Sequence, residues 1–175
     1  MSVSVRGIDH VGLTVADLEE AHRFLVEGLG ATLLYELLDA AALPLRGPQV
    51  EQLVGGPPGT TIDAVRMYEF GTGPAIELFH YTVGEQRPAP RGSDLGFQHI
   101  AVFVDDIEAV VGRLTALGGV ATADPWDMIG AEAGEGNRFC FVRAPFGALI
   151  ELVACPSPQQ YETQSGRRRW KPGTA

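Results

Sequence analysis

The feature that most constrains this chain is that it repeats itself. Residues 7–30 read GIDHVGLTVADLEEAHRFLVEGLG and residues 96–119 read GFQHIAVFVDDIEAVVGRLTALGG. At a constant offset of 89, Gly7 meets Gly96, His10 meets His99, Asp17 meets Asp106, Glu19 meets Glu108 and Gly30 meets Gly119. A second match, GPAIELF at 73–79 against GALIELV at 147–153, has an offset of 74 and aligns Glu77 with Glu151. The first copy therefore carries about 15 more residues between its matched ends. The surplus falls in 40–60, a Gly- and Pro-rich stretch without a clean period, which predicts a long loop suited to a lid or substrate-binding role.

Each copy gives the same coarse reading. An apolar strand (8–15, then 97–104) ends at Asp17 or at Asp105-Asp106, acids able to cap an amphipathic helix (17–28, then 106–117). Glycines close each helix. Three strands follow, at about 31–38, 61–70 and 74–82, and at about 120–123, 137–144 and 147–154. Gly71-Thr72-Gly73-Pro74 and Ala144-Pro145-Phe146-Gly147 make the last two of each set hairpins, and 124–136 a second loop. The expected fold is α+β, two tandem βαβββ modules forming curved mixed sheets around a metal-binding concavity. The modules span 1–90 and 91–155, and 156–175 forms a C-terminal tail.

Alternate residues of a strand share a face. That period sets His10, His99, Glu77 and Glu151 each opposite a strongly apolar face: Val11 and Leu13, Ile100 and Val102, Ile76 and Leu78, Ile150 and Leu152. A carboxylate turned into a concavity is costly unless it is paired or bound to a cation. Four such residues at repeat-equivalent positions would share that cost with one divalent ion. Two imidazoles and two carboxylates suit nickel, zinc, cobalt, manganese or iron(II), whereas calcium and magnesium prefer more oxygen ligands. A single strand histidine or glutamate is ordinarily a packing or surface residue, and His22 and His80 are read so. His22 aligns with Val111, and His80 falls on the face opposite Glu77.

Composition narrows the partners. A net charge of -9 argues against nucleic acid, since Arg167-Arg168-Arg169 is the one short basic run and lies in the polar tail. No segment has the length to cross a bilayer, and the N-terminal residues lack the apolar core of a signal peptide, so a cytoplasmic protein is expected. Cys140 and Cys155 lie in apolar runs without metal-site spacing and are read as packing thiols.

On IDHVGLTVADLEEAHRF, FQHIAVFVDDIEA and APFGALIELV, residues 6–155 resemble the vicinal oxygen chelate superfamily, which includes glyoxalase I, epimerases, extradiol dioxygenases, fosfomycin-resistance transferases and bleomycin-binding proteins. The resemblance implies a metal held by His10, Glu77, His99 and Glu151, a set similar to that of glyoxalase I and related epimerases. Arg23-Phe24-Leu25, the hairpin at 144–152 and the 40–60 insertion depart from the glyoxalase I pattern. GGPPGTTIDAVRMYEFGTGPAIELFHY, GNRF and ELVACPSPQQYE are similar to sugar-ketone epimerases of the 2-epi-5-epi-valiolone type. The implied activity is a divalent-metal-dependent isomerase or epimerase, with Glu77 and Glu151 moving a proton beside a metal-bound carbonyl of a small oxygenated substrate. Alternatives are a glyoxalase I-like lyase, an iron(II) dioxygenase and a non-catalytic drug-binding protein. Arg66, Tyr68, Trp126, Asp127, Asn137 and Arg138 are secondary candidates for substrate contact. The repeat is compatible with a site closed within one chain or exchanged between the chains of a homodimer.

Overall fold

The computed structural model describes residues 5–39 and 41–173. The start of the N-terminal segment, the first residue of the 40–60 stretch and the last two residues of the tail lie outside the described residues. The chain divides into two compact units. One runs to His22 and resumes over Gly30–Arg87; the other takes Arg23–Leu29 and continues from Pro88.

In the first unit, strand β1 (His10–Thr14) leads to helix α1 (Leu18–Arg23), then to β2 (Thr32–Leu38), β4 (Thr61–Glu69) and β5 (Ala75–Thr82). The sheet order is β1-β5-β4-β2, with β1 parallel to β5 and the other pairs antiparallel. Asp17 caps α1 by accepting the Glu20 N–H. The stretch expected as a loop is partly ordered: β3 (Leu45–Arg46) pairs with β4, and helix α2 covers Pro48–Val54. Proline opens that helix, where its fixed φ fits and its missing N–H costs nothing. Gly55, at φ 66°, closes it in the left-handed conformation that glycine adopts freely.

The second unit repeats the plan. Strand β6 (His99–Phe103) leads to helix α3 (Ile107–Ala116), β7 (Val120–Ala121), β9 (Arg138–Arg143) and β10 (Leu149–Ala154), in the order β6-β10-β9-β7. Asp106 caps α3 through the Ala109 N–H. The 124–136 loop contributes β8 (Trp126–Asp127), paired to β9, and a single 3-10 turn at Gly130–Glu132. Helix α4 (Gln160–Ser165) lies in the tail. The two modules are thus βαβββ units with mixed sheets, as the repeat predicts.

One helix departs from expectation. After Arg23 the chain widens into a π-helical turn over Phe24–Gly28, and that turn packs in the second unit. Phe24 joins the core of Ile107, Val110, Leu114, Val142, Ile150 and Leu152, with its ring edge-on to Phe146 at 5.6 Å. Gly28 permits the approach, because a Cβ there would sit 2.6 Å from the Leu114 side chain. Among the described residues, no helix is long and apolar enough to cross a membrane.

Candidate metal centre

Register fixes which side chains share a face. In the first unit His10 lies beside Ala75, and Gly12 beside Glu77, across a parallel pair. His10 Nε2 is 3.2 Å from Glu77 Oε2. In the second unit His99 lies beside Leu149, and Ala101 beside Glu151. There His99 Nε2 is 3.0 Å from Glu151 Oε2. The carboxylates are the shielded members, 13% and 20% exposed, against 38% and 28% for the imidazoles.

Each histidine is also held from behind. His10 Nδ1 lies 2.7 Å from Asp9 Oδ2, and His99 Nδ1 lies 2.8 Å from Gln98 Oε1. An Nδ1–H donated to a carboxylate or amide oxygen fixes the tautomer and turns the Nε2 lone pair outward, the usual arrangement behind a ligating histidine. The Asp9 hydrogen bond raises the His10 pKa above the ordinary histidine value; burial opposes the rise and the Glu77 charge adds to it. Asp9 and Gln98 are not among the residues the sequence singles out, although they occupy equivalent positions at the same offset of 89.

The structure thus brings the four predicted ligands into two His–Glu pairs. Among the described residues, no group of three or more His, Cys, Asp or Glu side chains gathers at metal-binding distance. Aromatic rings line the same faces. Phe79 stacks on Tyr81 at 5.4 Å beside Glu77 in strand β5, and Phe141 meets His99 edge-on at 5.2 Å. Burial, with the Glu77 charge adding, raises the Tyr81 phenol above its ordinary range.

The secondary candidates fall elsewhere. Tyr68 and Arg66 pair with Ile76 and Leu78, which puts them on the helix face, opposite Glu77. Tyr68 is fully buried and its hydroxyl is 2.9 Å from His22 Nδ1, while Arg66 bridges Glu19 at 2.8 Å and Glu36 at 2.7 Å. They tie α1 to its sheet. Asn137 is buried and organises the loop, donating to the Glu132 carbonyl and accepting the Ser157 N–H. Arg138 binds Glu108 and the Pro125 carbonyl. Trp126 and Asp127 are exposed on β8. Cys140 and Cys155 are free, with burial raising both thiols, which suits packing rather than nucleophilic chemistry.

Comparison with known proteins agrees with this architecture. The family model of the glyoxalase/bleomycin resistance protein/dioxygenase superfamily matches residues 7–152. A 2-epi-5-epi-valiolone epimerase from Actinomyces sp is 31% identical over 166 residues, covering 94% of this chain and 88% of the relative. Among solved structures, a glyoxalase-family protein from Bacillus cereus superposes with a TM-score of 0.66 at 24% identity, covering 87% of this chain and 95% of its own. A mutant fosfomycin resistance protein of Listeria monocytogenes, solved with Mn(II) and a dihydroxypropylphosphonic acid, superposes with a TM-score of 0.59 at 16% identity, covering 92% and 99%. With the doubled βαβββ plan, the matched His–Glu pairs and a family model spanning most of its length, this chain belongs to the glyoxalase/bleomycin resistance protein/dioxygenase superfamily.

Proposed function

We propose that this chain is a divalent-metal-dependent isomerase or epimerase, with His10, Glu77, His99 and Glu151 holding one transition-metal ion. The observation that carries the reading is the matched facing of imidazole and carboxylate. With Nδ1–H donated to Asp9 or Gln98, each Nε2 lone pair points toward a carboxylate oxygen 3.2 or 3.0 Å away. Lone pairs so placed repel unless a proton or a cation lies between them. Donors each about 2.1 Å from a common ion, in adjacent positions, would lie roughly 3 Å apart, so the spacing within each His–Glu pair is that of two ligands of one ion. Nickel, zinc, cobalt, manganese and iron(II) suit the donor set.

When bound, the ion supplies Lewis acidity to a substrate carbonyl, stabilising negative charge that develops on its oxygen. The chain's own residues do the proton work. Each glutamate has one oxygen beside its histidine and a second oxygen able to take or return a proton next to the carbonyl. Glu151 is assigned the base role and Glu77 the complementary acid, because removal from one face and return to the other inverts a centre. The likeness to an epimerase across most of both chains supports isomerisation over the lyase, dioxygenase and drug-binding alternatives.

The substrate class is a small oxygenated ketone, and neither nucleic acid nor membrane is needed as a partner. The pairs can meet within one chain or between the chains of a homodimer. Two free thiols accord with a cytoplasmic setting. The test is solvent hydrogen exchange. Metal-loaded protein in deuterium oxide with 2-epi-5-epi-valiolone is expected to place deuterium at the carbon beside the carbonyl, and the Glu151→Gln variant should not. Turnover that consumes oxygen, or binding without exchange, would overturn the reading.

A further inference from the structure

The tail of the second unit is built onto the face that carries Glu151. Arg169 is held at several points: its guanidinium lies 2.9 Å from Glu132 and donates to the fully buried Gln159 at 3.0 Å, while its backbone N–H donates to the Tyr161 hydroxyl. Its cation also lies 5.7 Å from the centre of the Tyr161 ring. Lys171 secures the next turn through Glu162 at 2.6 Å, a carboxylate only 6% exposed. Between these anchors, Trp170 tilts against Phe103 with ring centres 6.2 Å apart, yet stays 53% exposed. An indole fixed on both sides and left half open is unlike a core residue.

What it leaves open is a cavity of about 170 Å³, lined by Phe103, Met128, Glu132, Glu151, Arg169 and Trp170 together with small aliphatic strand residues. That volume admits several waters or part of a small ring. Its chemistry is divided. Phe103, Met128 and Trp170 offer aromatic and aliphatic surface, whereas Glu132 and Arg169 offer an acceptor and donors side by side. Glu151, one of the four proposed ligands, forms part of the same wall.

We infer that the Arg169–Trp170 segment forms a substrate subsite beside Glu151, recognising a polyhydroxylated ring. Trp170 is the platform for the ring's C–H face, and Glu132 and Arg169 bind its hydroxyls. Such rings present apolar C–H patches edged by hydroxyls, and the cavity matches that division. Arg169 serves twice, because the contacts that bind Glu132 and Gln159 also fix the backbone from which Trp170 projects. This assignment rests on the proposed metal-dependent reaction at Glu151 and extends it by naming the surface that selects the substrate.

The test uses full-length, metal-loaded protein in a Trp126→Phe background, so that Trp170 is the remaining tryptophan. Titration with 2-epi-5-epi-valiolone is expected to change Trp170 emission saturably. Trp170→Ala should weaken calorimetric binding about tenfold, in line with the loss of one aromatic contact and its buried area, and Trp170→Phe should restore part of it. KM should rise with kcat little changed, and metal content should match that of the parent. Equal affinity in parent and Trp170→Ala, or no binding to metal-loaded parent, would overturn the subsite while leaving the metal site intact. Absence of metal from the parent would instead count against the reaction on which the subsite rests.

Discussion

The two modules solve one problem identically on one face and differently on the other. On the faces that carry the His–Glu pairs, His10 and His99, Glu77 and Glu151, and the supporting Asp9 and Gln98 occupy equivalent positions and make equivalent contacts. On the helix faces, the first module uses polar side chains: Tyr68 bonds to His22, and Arg66 bridges to Glu19 and Glu36. At the offsets of the repeat, the second module places Val142 for Tyr68, Cys140 for Arg66 and Val111 for His22, all within or against its apolar core. Packing can be satisfied either by aliphatic contact or by polar contacts and ion pairs, so it drifts between copies. The facing of imidazole and carboxylate has far fewer solutions, and the copies keep it.

That contrast can be broken at graded cost. The largest effects should come from the carboxylates. Glu151→Gln is expected to lower kcat by about 10²- to 10⁴-fold, with Glu77→Gln no more severe, as loss of a general base or acid would require. Steady-state kinetics on metal-loaded variants checks this, and full activity in both variants would remove the acid–base roles.

Stability should respond next, and unequally. Val142→Ala removes fully buried methyl groups and leaves a cavity, for an expected loss of about 2 kcal/mol in urea denaturation. Tyr68→Phe keeps the ring and removes one hydroxyl, leaving His22 without its partner, for about 1 kcal/mol. Neither should alter metal content, because both lie on helix faces; a loss of metal in either would dissolve the distinction between the faces.

The smallest effect should appear in the tail, for which the first module has no equivalent. The hydrogen bond from Lys171 lowers the Glu162 pKa below its ordinary carboxylate value, burial opposing and further cationic neighbours adding. The stabilisation is therefore present above the unfolded carboxylate's range and fades as pH falls through the lower, folded value. Trp170 emission in the Trp126→Phe background should report undocking of the tail on acidification. In Glu162→Gln the docking should be weaker at neutral pH, with this acid transition absent.

Much of the fold, and the strand faces on which the four candidate ligands lie, are legible because they rest on strict periods. The two-residue alternation of strands assigns His10, Glu77, His99 and Glu151 to faces, and the repeat supplies a second, independent reading of each. Other elements escaped because their signals are local and conflict with their surroundings. Pro48 and Gly55 bracket α2 in the expected way, but the dense glycine and proline around them mask a helix of seven residues. The π-turn at Phe24–Gly28 has no distinct sequence period, and its packing partners on α3 are remote in the chain. Tyr68 and Arg66, secondary candidates for substrate contact on the sequence, instead answer polar residues on α1, which lie more than forty positions away in the chain. Trp170 stood in a polar tail with nothing nearby to indicate that Arg169 and Lys171 anchor it.

The central claim is that the matched His–Glu pairs exist to hold a metal. Elemental mass spectrometry on tag-free protein, beside a His10→Ala/His99→Ala double variant shown to be folded by circular dichroism, tests it most directly. The account predicts near-stoichiometric transition metal in the parent and its loss in the variant. A folded parent that takes up no metal after incubation with nickel, zinc, cobalt, manganese or iron(II) would contradict it.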